Sequence, residues 1–175
     1  MQLRIQAMFL GAFMIACALC LASLASAEGN TAGATTNDTL TKAHQSAVSH
    51  AKALSKYMKG NETASKDVVL GHAAAIGSAL HEASKASTAL ATEVKADKAK
   101  ECVETMREHQ SDAADQHKKL TDELTQSPLD ANAIRALAGD IATEMSEAEQ
   151  ENRRVATLER GVRKDAARGR VPVEQ

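Results

Sequence analysis

The chain has 175 residues, of which 43% are hydrophobic and only 2% aromatic, with 21 basic side chains, 23 acidic ones and six histidines. A formal charge of −2 lacks the basic excess that nonspecific nucleic-acid binding requires. The length suits one domain able to bury about two-thirds of its unfolded surface.

Residues 1–27 read as a cleavable secretory signal. Arg4 precedes an apolar run from Ile5 to Leu24 broken only by Gln6, Gly11 and Ser23, and Ala25-Ser26-Ala27 presents the small side chains a signal peptidase needs. An uncleaved anchor and a lipoprotein are the competing readings. Met14-Ile15-Ala16-Cys17 loosely resembles a lipobox, but the chain stays apolar beyond Cys17. Cleavage after Ala27 takes Arg4, both phenylalanines, Cys17 and Cys20 with it, leaving Tyr57 as the one aromatic residue and Cys102 as the one cysteine. A single cysteine closes no internal disulfide, so packing must hold the mature chain together. The expected location is periplasmic or secreted, with no stable membrane insertion after cleavage.

Residues 28–37 are rich in Gly, Thr, Asn and Ala without apolar periodicity and are expected to be a flexible leader. A bundle is expected over 38–165. Leu40, His44, Ala47, Ala51, Leu54 and Met58 form the seam of a first helix, ended by Gly60-Asn61. Thr63 or Ser65 caps a second, with the seam Val69, His72, Ile76, Ala79, Ala83, Ala86 and Leu90. A phase shift between Val94 and Lys98 places a turn there, with Asp97 as N-cap; one long helix from about Ala64 to Gln126, buried in an oligomer, is the alternative. The third seam is Cys102, Met106, His109, Ala113, Leu120 and Leu124, stopped by Ser127-Pro128. Asp130 caps the fourth, which buries Ile134, Leu137, Ile141, Met145, Ala148 and Val155 and frays from Gly161 into a flexible tail over 166–175. Four amphipathic helices joined by short turns predict an all-α, up-down-up-down four-helix bundle. Mixed charge runs such as Lys95 to Glu101 read as solvated surface. Asn37-Asp38-Thr39 and Asn61-Glu62-Thr63 match the glycosylation sequon, which matters only on a eukaryotic secretory route.

Chemistry, if any, rests on the histidines. Folding the chain about its three turns sets His44 level with His81, His109 and residues 145–147, and His50 level with His72, His117 and the region of Asp140. At about 100° per residue His44, His72 and His109 face inward, His50 and His117 lie at seam edges, and His81 faces away. The candidate metal ligands are therefore His44 and His109 with Met145 in one layer, and His72 with His117, joined by His50, in the other. Imidazole with thioether suits copper, and imidazole with carboxylate suits zinc or iron. The competing reading makes these histidines hydrogen-bonded core residues, the methionines filler and Cys102 an inert thiol. Glu-x-x-His pairs, Cys-x-x-Cys-His, His-Glu-x-x-His, Gly-x-Ser-x-Gly and phosphate-binding glycine loops are all absent. The sequence thus predicts a non-enzymatic exported binding or structural protein, with a copper- or zinc-binding protein and an envelope chaperone-like protein with a protein partner as alternatives.

Overall fold

A computed structural model describes residues 32–59 and 64–169. Cleavage after Ala27, Cys17, the Gly60-Asn61 turn, the Thr63 cap, the Asn61 sequon and the end of the tail lie outside them. Four helices and no strand occur among the described residues: α1 Ala32–Met58, α2 Lys66–Glu93, α3 Asp97–Glu123 and α4 Ala131–Ala167. They lie in one compact unit that begins at Gly33, one residue into α1.

Side-chain bonds between helices give the arrangement. Thr36 Oγ1 donates to Glu93 Oε1 at one end of α1 and α2, while His50 meets His72 towards the other, so the two run antiparallel. His117 reaches Ala73 and Ser87 reaches Gln110, which sets α3 antiparallel to α2. His109 faces Glu144 across α3 and α4. Gln45 donates to Glu149, and Ser55 to the Arg135 carbonyl, closing α4 against α1. An all-helical, four-helix arrangement consistent with a bundle follows, and the unbroken second-to-third helix is excluded because the chain turns at Val94–Ala96.

The turns are built from identifiable contacts. The Ser65 N–H donates to Tyr57 Oη at 2.9 Å, so the tyrosine ring latches the start of α2 to the end of α1. Ser65 is the N-cap residue of α2, although its own side chain makes no capping bond. The N-cap of α3 is Ala96 rather than Asp97, and the backbone N–H groups of Lys95 and Ala96 both donate to Glu159 Oε1 on α4. Asp97 stands instead in the first turn, paired with Lys100 at 2.7 Å, where its charge complements the helix dipole. Asp130 Oδ1 caps α4 as expected, accepting from the N–H groups of Asn132 and Ala133. At its far end α4 runs through Gly161 to Ala167 and closes at Gly169, whose φ of +65° is the left-handed conformation glycine adopts freely.

Residues 32–37, expected in the leader, are helical instead. Their low helix propensity is overruled by tertiary bonds. Thr36 is held by Glu93, and Asn152 of α4 donates to the Asn37 carbonyl and to Thr41 Oγ1.

The core is thin-walled. Every expected α1 seam residue is buried, but alanine supplies Ala43, Ala47 and Ala51 on α1, Ala73, Ala79, Ala83 and Ala86 on α2, and Ala138, Ala142 and Ala148 on α4. The α3 seam departs from expectation. Ala99, Val103, Met106, Gln110, Ala113 and Leu120 are buried, while Cys102 and His109 are only half-buried. On α2 the buried residue is Ala73, with His72 at the edge, and on α4 it is Ala138, with Leu137 at the edge.

One close approach between α2 and α3 depends on a missing side chain. The His117 Nε2–H donates to the Ala73 carbonyl at 2.8 Å, and a Cβ at Gly77 would stand only 2.8 Å from His117 Cε1. Gly77→Ala gains about 1 kcal/mol of helix propensity but displaces the ring and its hydrogen bond. We predict that this substitution fails to stabilise the wild-type chain yet stabilises His117→Ala by about 1 kcal/mol. A double-mutant cycle by chemical denaturation measures the difference, and equal effects in both backgrounds would refute the coupling.

Candidate metal centre

The six histidines separate into different environments once the helices are assembled. His44 is wholly buried at the middle of α1, and its Nε2 lies 2.9 Å from Gln110 Nε2 of α3. Gln110 in turn accepts from Ser87 Oγ of α2 at 2.8 Å, so three polar groups cross the core from α1 through α3 to α2. An amide nitrogen only donates, which makes His44 Nε2 the acceptor and puts the ring proton on Nδ1, where it has no partner. Turning the amide about its last torsion reverses these roles. His44 Nε2–H then donates to Gln110, Ser87 accepts from the amide and donates to the Ser84 carbonyl, and Nδ1 carries a bare lone pair. In both senses Nδ1 is unpartnered and buried.

Burial pulls the His44 imidazole down from 6.5 to about 4, against a smaller upward pull from the Glu149 carboxylate. Glu149 is itself held low: burial opposes this, but the Gln45 amide and the Arg153 guanidinium outweigh it. His44 is therefore a neutral core residue at physiological pH.

His109 is rotated off the seam to the α3–α4 edge. Its Nδ1 lies 2.8 Å from Glu144 Oε2 and 3.3 Å from Glu147 Oε2. The two glutamates stand three positions apart along α4, which puts both carboxylates on one face of the helix. The three ligand atoms lie within 4.8 Å of one another, and this is the only convergence of three His, Cys, Asp or Glu side chains among the described residues. Imidazole and Glu144 are about three-quarters covered, while Glu147 is about half open to solvent. Met145, between the glutamates in sequence, is fully buried in the core.

The expected ligand layers are thus partitioned. His44 pairs with Gln110, while His109 pairs with Glu144 and Glu147. In the second layer His72 faces His50 with their Nδ1 atoms 3.2 Å apart, and His117 is engaged with the Ala73 carbonyl. The exposed position of His81 matches its outward reading. The signal for Glu144 and Glu147 lies in the sequence, since they stand on either side of Met145 at the height of His109, but off the inward seam on which the expected ligands lie. Gln110 and Ser87 had no such signal, because a lone amide or hydroxyl in a polar helix reads as surface.

Cys102 supplies no soft donor to this cluster. Burial, with the Glu151 carboxylate beside it, pushes the thiol above its ordinary range and keeps it protonated, hence a poor nucleophile. No described helix is long and apolar enough to cross a membrane. No family model matches the chain, and no curated protein or solved structure matches it either.

The buried His44 generates a pH prediction. Its pKa is lower folded than unfolded, so its contribution to stability is complete above pH 6.5 and is lost as pH falls from 6.5 towards 4. The shift corresponds to about 3 kcal/mol. His44→Leu alone should lower stability at pH 7 by about 1–3 kcal/mol, because it strands the Gln110 amide. His44→Leu with Gln110→Leu should recover most of that loss and also flatten the decline between pH 6.5 and 4. Urea unfolding at pH 7, 5.5 and 4 tests this; a constant difference between wild type and double variant at all three would contradict it.

Proposed function

We propose that this chain is an exported, non-enzymatic protein of the up-down-up-down four-helix type whose role is to bind a divalent transition-metal ion. The observation that carries the reading is the meeting of His109 with Glu144 and Glu147. Two carboxylates held close on one helix face repel each other, and a cation between them and the imidazole removes that repulsion. One nitrogen and two oxygens make a three-ligand set that leaves further positions open to water, as in zinc sites built from imidazole and carboxylate. This donor set favours zinc over cuprous ion, which prefers sulfur. Export is supported by the N-terminal pattern of Arg4, the apolar run and Ala25-Ser26-Ala27, which points to a periplasmic or secreted location. A non-enzymatic role is supported by the lack of any nucleophile or metalloprotease motif in the sequence.

Metal that binds only the folded chain raises its stability. Zn²⁺ at about 100 times its Kd for this site should add about 2.7 kcal/mol, a rise of several degrees in Tm. His109→Ala or Glu144→Gln should remove the part of the increment that this site supplies, whereas His81→Ala at the exposed position should keep it. Thermal melts of metal-free protein with and without Zn²⁺ decide the matter. An increment unchanged by His109→Ala and Glu144→Gln would overturn the assignment.

A further inference from the structure

A second histidine contact lies well away from the α3–α4 edge. His50 of α1 and His72 of α2 bring their Nδ1 atoms to 3.2 Å, with ring centroids 5.5 Å apart and planes inclined by 56°. Both side chains are half-buried, so solvent reaches them. No residue three or four positions from either histidine is acidic or basic. The pairing thus has no charged side chain one turn away on its own helices to account for it, and the two rings are each other's polar partner.

Between two neutral rings this contact uses one proton. One Nδ1–H donates to the lone pair of the other Nδ1, and the donor ring is left with a bare Nε2. The same separation also suits two nitrogens that ligate one ion set to the side of the line between them. Two Zn–N bonds of about 2.05 Å at the tetrahedral angle place their nitrogens about 3.35 Å apart, within about 0.2 Å of the separation already present. We infer that His50 and His72 form a second cation site, between α1 and α2, which takes a divalent ion with a preference for imidazole nitrogen.

For both Nδ1 atoms to ligate, the donor ring passes its proton from Nδ1 to its own Nε2 by way of solvent. Both rings are then Nε2–H tautomers, each offers one Nδ1 lone pair, and no proton is released overall. Water fills the remaining positions, since the described structure converges no carboxylate on the pair. The donor chemistry differs from that of His109, Glu144 and Glu147: two imidazoles select along the copper–zinc end of the divalent series, whereas two carboxylates also accept harder ions. The two sites lie on different helix pairs, so the inference stands independently of the α3–α4 reading.

The test is a Zn²⁺ titration of the full chain carrying His109→Ala, followed through the histidine ring signals by NMR. The expected result is that the His50 and His72 signals shift together with a single apparent Kd, while those of His81 stay in place. Adding His50→Gln should weaken the response of the His72 signals at least tenfold, and His72→Gln should do the same to those of His50. Glutamine keeps a hydrogen-bonding amide at the contact, and an unchanged circular dichroism spectrum shows that the helices are intact. Should Zn²⁺ leave both rings unshifted, or should either ring respond equally well without the other, the pair is a hydrogen bond and the site is refuted. Loss of the Zn²⁺ increment with His109→Ala concerns the other site alone, so failure of one assignment is distinguishable from failure of the other.

Discussion

Small side chains on the helix seams are the constraint from which the rest of this structure follows. Alanine at ten of the buried positions of α1, α2 and α4 leaves little volume to hold the helices apart. The clearest sign is the contact between His44 and Gln110, which joins α1 to α3 directly although these helices are not consecutive. A core lined by leucine would fill the space that this bond crosses. Polar side chains gain from such a thin interior, because a group on one helix reaches its partner on another without leaving its turn. They also make the interior exacting, since each buried polar atom must find a partner in place.

The same constraint explains why three of the four antiparallel helix pairs carry a histidine at their boundary. His50 and His72 meet between α1 and α2, His117 seats on α2 from α3, and His109 faces α4. The fourth boundary, α1 with α4, is held by Gln45 with Glu149, by Ser55 with a backbone carbonyl, and by Asn152 with Asn37 and Thr41. Imidazole suits a narrow boundary because it is flat, of medium size and bonds through either nitrogen.

Much of the fold was legible in the residues. Helix number, the turn at Val94–Ala96, the Asp130 cap and the whole α1 seam follow from periodicity and capping chemistry. Height along the helices is legible as well, since His109 does meet residues at the height of Met145. Rotation about the helix axis was the weak link. On α3, stepping from Cys102 to Met106 to His109 and stepping from Val103 to Met106 to Gln110 both satisfy helical spacing, and the expectation of an inward histidine takes the cysteine route. Tertiary packing selects the other, because Gln110 finds both His44 and Ser87 within bonding distance. A turn of about 100° moved His109 from the interior to the edge, replacing a thioether neighbourhood with two carboxylates. The early start of α1 was hidden for a related reason: the bonds from Glu93 and Asn152 that order residues 36–41 come from chain positions far away in sequence.

What separates a ligand from a structural histidine here is how its nitrogens are already engaged. His117 donates to a backbone carbonyl and rests where Gly77 lacks a side chain, so binding an ion would require it to abandon a seat made for its ring. His44 has an unpartnered nitrogen, but it is wholly buried, and a divalent ion there would have to shed its water in an apolar core without a carboxylate to replace it. His109 and the pair His50 and His72 differ from both. Their partners are a carboxylate or a second imidazole, groups that bind cations as readily as they bind protons, and water reaches each of them. Under the proposed reading, an ion at either place would bridge groups that already converge and would keep part of its water. Histidines whose partners are a carboxylate or a second imidazole are the ones that the fold leaves open to solvent, and in this four-helix fold they stand at its edges rather than in its core.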